Sequence, residues 1–141
     1  MDNYQIPVWI AIALAALMHL YNIVKAKELI KRTGGVIRSN SDLLMVKEAI
    51  NLSMQLAIYY IAMSIILLAA LAYFVINGLS FFTAMGQLFI FGIVTLPMGL
   101  IGKHFEDKVR QMEVQSSDTL LQDSYNRYLV QWKEPRFKLP D

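Results

Sequence analysis

From Ala49 to Gly102 the chain carries no Asp, Glu, Lys or Arg, and this uncharged block limits the folds open to it. It holds two apolar runs, Leu52 to Ile76 and Phe81 to Ile101, parted by Asn77-Gly78-Leu79-Ser80. A helix needs about 20 apolar residues to cross a hydrocarbon layer ~30 Å thick, and each run is that long. Asn-Gly accommodates the left-handed backbone of a tight reversal. The block therefore reads as a transmembrane helical hairpin. A third run, Ile6 to Val24, supplies another span, with Pro7 suited to a first helical turn and Tyr4 and Trp9 at interfacial depth.

Composition agrees: 56% of the 141 residues are hydrophobic and the mean hydropathy is +0.43, outside the range of soluble domains. The net charge of +2 is small, and all 13 Lys and Arg lie in two stretches, Lys25 to Lys47 and Lys103 to Lys138, that also carry acids. No dedicated basic arm is present, so nucleic acid is not an expected partner. Cysteine is absent, which excludes disulfides, thiolate metal sites and a Cys nucleophile. The run from Ile6 lacks the basic flank of a secretory signal and is followed instead by Lys25, as in a retained span.

Orientation follows from the basic residues outside the spans: none before span one, six between spans one and two, none in the turn, seven after span three. The positive-inside rule then places the N-terminus and the turn outside, and the C-terminus in the cytoplasm of an inner or plasma membrane.

The helices are expected to outrun the membrane. Strong helix formers follow Val24 until Gly34-Gly35 stops the first helix. After a short connection, Asn40 or Ser41 is placed to cap a long second helix, about Asp42 to Ile76. The third starts at Ser80 or Phe81, is expected to kink at Pro97, and continues to Gln115 with Phe105, Val109 and Met112 on one face. Ser117 then caps a short amphipathic helix, Asp118 to about Lys133, with Leu121, Tyr125, Tyr128, Leu129 and Trp132 as its apolar stripe. The tail from Glu134 reads as extended. The fold class is thus all-α and polytopic, with a three-span unit over 1–115 and an amphipathic helix and tail over 116–141.

Two clusters carry possible chemistry. Gly92, Thr95, Gly99 and Gly102 share one face of the third helix, a small-residue stripe suited to close helix packing in lipid. His19, Gln55, Tyr59, Tyr60 and Thr95 all fall in the cytoplasmic half of the membrane, within about 8 to 14 Å of its edge at 1.5 Å per residue. An ionisable group at such depth is a functional candidate by default, although one interhelical hydrogen bond would also account for His19. His104 lies just past span three. Paired with His19 it would suit a bis-histidine haem b, and His19 with Tyr59 and Thr95 would suit a quinone head group. There is no phosphate loop, zinc-protease motif, nucleophile elbow or intramembrane carboxylate pair.

Three spans with the N-terminus outside, together with Thr95-Leu96-Pro97 before a cytoplasmic helix, resemble the layout of the biopolymer-transport proton-channel proteins. Their glycine-rich middle span and large cytoplasmic domain have no counterpart here. The length and the basic loop after span one resemble the small membrane-associated glutathione and eicosanoid enzymes, but those have four spans, and Arg38, Asn40 and Glu48 do not reproduce their Arg, Asn, Glu spacing. Neither layout assigns a family.

The expectation is a non-catalytic accessory or structural subunit of a membrane complex, whose partners are lipids and other membrane subunits or further copies of itself, with the helix-four stripe docking the partner. The alternatives are a haem- or quinone-binding electron-transfer subunit, or part of an oligomeric channel or transporter.

Overall fold

A computed structural model describes residues 3–115 and 119–130. Among them are four helices, α1 (Gln5–Thr33), α2 (Asn40–Ile76), α3 (Phe81–Arg110) and α4 (Thr119–Leu129), and two short strands, β1 (Val36–Ile37) and β2 (Glu113–Val114). Three of the helices are long and apolar enough to cross a membrane.

Local chemistry sets most of the helix ends. Gly34, at φ +66°, takes the left-handed position that closes α1, and its N–H and that of Gly35 both reach the Ile30 carbonyl. Helix α2 is capped one residue before the expected position: Ser39 Oγ accepts from the Asp42 N–H at 3.2 Å, and the Asp42 carboxylate accepts from the Ser39 N–H at 3.1 Å. The reciprocal pair satisfies donors at the helix start that Asn40 or Ser41 would have left open. At the far end Gly78, at φ +101°, turns the chain, and Leu79 N–H donates to the Phe74 carbonyl at 2.9 Å. Helix α3 runs unbroken through Pro97, which lies on an exposed face.

Helix α3 ends at Arg110, short of the expected Gln115. The residues that follow form β2, which pairs in parallel with β1 in the register Val36↔Glu113 and Ile37↔Val114. Gln115 N–H extends the ladder by donating to the Ile37 carbonyl at 2.9 Å. This pairing ties the connection after α1 to the chain leaving α3.

The helix order in space differs from the hairpin picture. Helix α1 packs along both α2 and α3, whereas α2 and α3, neighbours in sequence, meet in few places. One face of α1 makes this possible. Val8, Ala11, Ile12, Ala15, Ala26, Leu29 and Thr33 are all buried, at spacings that keep to one side of a 3.6-residue helix.

The interior has two parts. At the charged end Leu29, Ile37, Leu43, Val46, Ile50, Val109 and Met112 close around Leu121 and Tyr125 of α4. In the apolar section a smaller core joins Val8, Ala11, Ile12 and Ala15 to Leu67, Leu71, Ala84 and Phe91.

Candidate functional site

The α1 face that buries Ala11 and Ala15 carries His19 and Asn22 one and two turns further on. Both therefore point into the bundle. The facing surface of α3 is Thr95, Gly99, Gly102 and Glu106, again at helical spacing. A methyl group added at Gly99 would lie 3.7 Å from His19 Cε1, and one at Gly102 3.9 Å from Nδ1. These two glycines thus face an imidazole rather than a neighbouring backbone. Gly92 faces open space.

Helix α2 supplies the third wall. The Tyr60 ring lies 5.5 Å from that of His19 at 55°, and stacks on Phe91 at 6.0 Å. Thr95 Oγ1 donates to the Phe91 carbonyl at 2.8 Å, which uses its single proton. Tyr60 Oη, 3.1 Å away, must then be the donor to Thr95. Thr95 is 2% exposed, so its hydroxyl fixes Tyr60 from behind and does not line open space.

One turn nearer the charged end, a polar chain crosses all three helices. Ser53 Oγ donates to Glu106 Oε1. Asn22 Nδ2 approaches Ser53 Oγ at 3.5 Å, the outer limit for such a bond. These contacts set the height of Glu106. Ser53 lies five residues beyond Glu48, the last charge of α2, or about 8 Å along the axis. Asn22 precedes Lys25, the first charge of α1. Glu106 therefore stands level with parts of α1 and α2 that carry no charge at all.

His19, Asn22, Ser53, Tyr60, Gly99, Gly102, Lys103, Glu106 and Arg110 line a cleft of about 330 Å³, together with apolar Met18, Leu56, Ala57 and Ile61. Ala57, Ile61 and Lys103 are exposed, so the cleft opens to the outside of the bundle. Asn22, Ser53, Glu106 and Arg110 occupy its charged end, while His19 and Tyr60 lie at its inner end beside aliphatic Ala57 and Ile61. A second cleft of about 400 Å³ lies between α1 and α2 near the Lys25, Glu28 and Arg32 cluster. Glu28 accepts from Lys25 at 3.4 Å and from Arg32 at 2.6 Å, and these cations hold its carboxyl below the usual carboxylate range.

The structure brings His19, Tyr60, Thr95, Gly99 and Gly102 together, but not Tyr59, Gly92 or His104. Tyr59 is 49% exposed and points outward, whereas its neighbour Tyr60 points in. His104 is exposed with Phe105 as its ring neighbour, and two residues past Gly102 it lies about 200° around α3 from the surface facing His19. The two imidazoles do not share a space, so this residue set does not fit a bis-histidine haem. Among the described residues no group of three or more His, Asp or Glu could hold a metal ion.

Ser53, Glu106, Lys103 and Arg110 were not among the sequence candidates. The signal was the small-residue stripe itself: continued at the same spacing past Gly102, it reaches Glu106 and then Val109, next to Arg110.

The helix-four stripe is occupied within the chain. Leu121 and Tyr125 are buried in the core of the charged end, and Tyr128 and Leu129 are partly buried against it. Tyr125 Oη donates to the Val109 carbonyl at 2.8 Å. Burial pushes the Tyr125 phenol up to about 12, partly offset by the backbone of Met112. Lys47 places its ammonium 5.7 Å from the centre of the Tyr128 ring. Trp132 and the tail lie outside the described residues.

Comparison with protein-family models, with curated proteins and with solved structures finds no match for this chain, so a functional reading rests on its residues and their geometry.

Proposed function

We propose that this chain is a non-catalytic subunit of a membrane assembly. Its three long helices cross an inner or plasma membrane with the N-terminus and the Asn77-Gly78 turn outside. The charged end, including α4, then lies in the cytoplasm. The chain acts by packing its open apolar flanks against the spans of another subunit or of a second copy.

The observation that carries this reading is how little the apolar section closes on itself. Only 11% of the most apolar window of α2 is buried, and α2 scarcely meets α3. Ile61, Ile65, Ile66 and Leu68 face outward, a surface that needs lipid or another helix beside it. Because Leu121 and Tyr125 are already buried within the chain, the docking surface sought in α4 shifts to these membrane flanks.

Gentle extraction from native membranes, after cross-linking in place, is the test. A stable hetero- or homo-oligomer linked through α2 is expected, and recovery of monomer alone would overturn the proposal. Topology is tested separately, because the chain has no cysteine. Asn3→Cys and Asn77→Cys should react with a membrane-impermeant maleimide from outside, and Gln122→Cys only after permeabilisation.

A further inference from the structure

We infer that the cleft between His19 and Glu106 binds a membrane-dissolved quinone, its ring at the inner end beside Tyr60, one carbonyl oxygen accepting from His19 and the tail leaving past Ala57 and Ile61. This rests on the membrane placement proposed above and goes beyond it by naming a ligand.

The first observation is an imidazole that the chain does not complete. His19 precedes Lys25, the first charge of α1, by six residues, which sets it about 9 Å inside the uncharged stretch. On the α3 side it faces Gly99 and Gly102, which offer no side-chain donor or acceptor. On the α2 side its neighbour is Tyr60, whose hydroxyl donates to Thr95. Among the described residues neither ring nitrogen of His19 makes a hydrogen bond. A neutral imidazole presents one N–H and one acceptor nitrogen, and leaving both unmet in hydrocarbon is costly. An oxygen that accepts the N–H removes much of that cost.

The second is shape. The rings of His19 and Tyr60, 5.5 Å apart and tilted by 55°, form the inner end, and Phe91 backs Tyr60. Met18, Leu56, Ala57 and Ile61 supply apolar surface around them. Rings pack well against rings in tilted or offset arrangements, so this end suits a flat unsaturated head better than a flexible chain. A cleft of about 330 Å³, mostly apolar with a few placed polar groups, is of the size that small ligands occupy.

The third is a second donor on the same wall. Asn22 lies three residues beyond His19, about 4.5 Å along the axis of α1. Its amide directs one N–H at Ser53, and the group has another to give. Ser53 and Tyr60 have spent their own protons on Glu106 and Thr95. His19 and Asn22 together suit a ring that carries two carbonyl oxygens, whereas a fatty alcohol would meet only one of them. The ligand is uncharged, so its capture needs no surplus cation in the cleft. Ala57 and Ile61 are exposed at the mouth, where a bilayer would supply the quinone laterally and hold its tail.

The full-length chain in detergent micelles can be titrated with decylubiquinone, using native mass spectrometry for stoichiometry and infrared spectroscopy for the carbonyl stretch. One decylubiquinone should bind per chain, about tenfold more tightly than decylbenzene, which has the ring and tail without the carbonyl oxygens. One carbonyl band should move to lower frequency on binding. It should return to its free position in His19→Phe, which keeps a ring and removes both nitrogens, and that variant should bind about fivefold more weakly. Ala57→Phe, which fills the mouth from an exposed position, should lower binding of both compounds. Tyr59→Leu, on the outward side of α2, should leave binding unchanged.

Equal affinity for decylbenzene would reduce the cleft to an apolar surface and overturn the inference. So would an unshifted carbonyl band, unchanged binding in His19→Phe, or an equal loss in Tyr59→Leu. Absence of binding, the result expected where water alone completes His19, would overturn it too, as would displacement of decylubiquinone by phosphatidylglycerol. The maleimide experiment tests the membrane placement in native membranes without added quinone, so either result can fail alone. Helical circular dichroism of each variant shows that it has folded.

Discussion

The two ends of this molecule are built on opposite plans. At the charged end the most deeply buried positions are bulky aliphatics, Ile37, Val46 and Ile50, and of the charges only Lys47 among the described residues is buried. In the apolar section small Ala11, Ala15, Ala84 and Thr95 are buried beside Val8, Ile12, Leu67, Leu71 and Phe91, while Ile66 and Phe89 are each 69% exposed. Water explains the first plan, because burying aliphatic surface is the main gain available there. It cannot explain the second. Where the surroundings are themselves apolar, large side chains gain nothing by facing inward, and helices are held by close packing and polar links. On the membrane placement proposed above, the chain carries a water-type core and a lipid-type bundle, joined by the continuous helices α1, α2 and α3.

The sharpest way to break this comparison is to truncate one isoleucine in each region. Ile50→Ala, at a position 1% exposed, should cost about 2–5 kcal/mol. Ile66→Ala should change stability by less than about 0.5 kcal/mol in chain dispersed singly in micelles. Equilibrium unfolding in mixed micelles measures both. Equal losses would mean that Ile66 is packed as closely as Ile50 and that the outward surface of α2 is not open.

The polar link at the junction comes next. Ser53→Ala leaves the Glu106 carboxylate without its hydroxyl donor and should cost about 1.5–3 kcal/mol, the range for hydrogen bonds to charged groups. Replacing both partners, Ser53→Ala with Glu106→Leu, should recover much of that loss, since no stranded carboxylate remains. If the double variant loses the sum of the two single effects, the two side chains are not coupled.

At the charged end, Tyr125→Phe removes the hydrogen bond to the Val109 carbonyl and should cost about 0.5–1.5 kcal/mol. The same phenol makes this end sensitive to alkali. Its folded value is raised to about 12 from the ordinary 10, so the folded state holds the proton more tightly than the unfolded state. Stability from this group is complete below pH 10 and is lost as pH rises towards 12. Tyr125→Phe should flatten that decline in an unfolding series across the same range.

The water-type and lipid-type regions were not equally legible in the sequence. The three apolar helices could be read because charge is absent over whole turns, and the end of α1 because Gly34-Gly35 admits a backbone that other residues resist. The β1–β2 pair left no trace, since two-residue strands are too short to show an alternating pattern. The stop of α3 at Arg110 was hidden for a related reason: no Gly or Pro marks it, and the pairing of Glu113 and Val114 with β1 follows it. At the site, His19 could be placed on the inner face from Ala11 and Ala15. Tyr59 and Tyr60 could not be told apart, because adjacent helical residues differ by about 100° and the facing direction of α2 depends on its packing. Glu106 follows Lys103, so along α3 alone it falls beyond the uncharged run. Its level against Ser53 and Asn22 depends on the axial offset between helices, which is a tertiary quantity.

The smallest expected effect tests what the glycines of α3 are for. If the stripe existed to bring two backbones together, Gly99→Ala would push them apart and destabilise the bundle. The geometry gives the opposite sign. A methyl group at Gly99 meets His19 Cε1 at 3.7 Å, an ordinary van der Waals contact, and one at Gly92 meets nothing. Each substitution also lowers the conformational freedom of the unfolded chain, so Gly99→Ala and Gly92→Ala should be neutral or stabilising by about 0.4–1 kcal/mol. Gly99→Leu should behave differently, because a longer side chain must enter the space held by the imidazole. Destabilisation by Gly99→Leu that is relieved by His19→Ala would identify the pocket as the reason for a small residue at Gly99. Destabilisation already present in Gly99→Ala would instead return the stripe to backbone packing, and the lipid-type region would then be closed more tightly than its exposed flanks indicate.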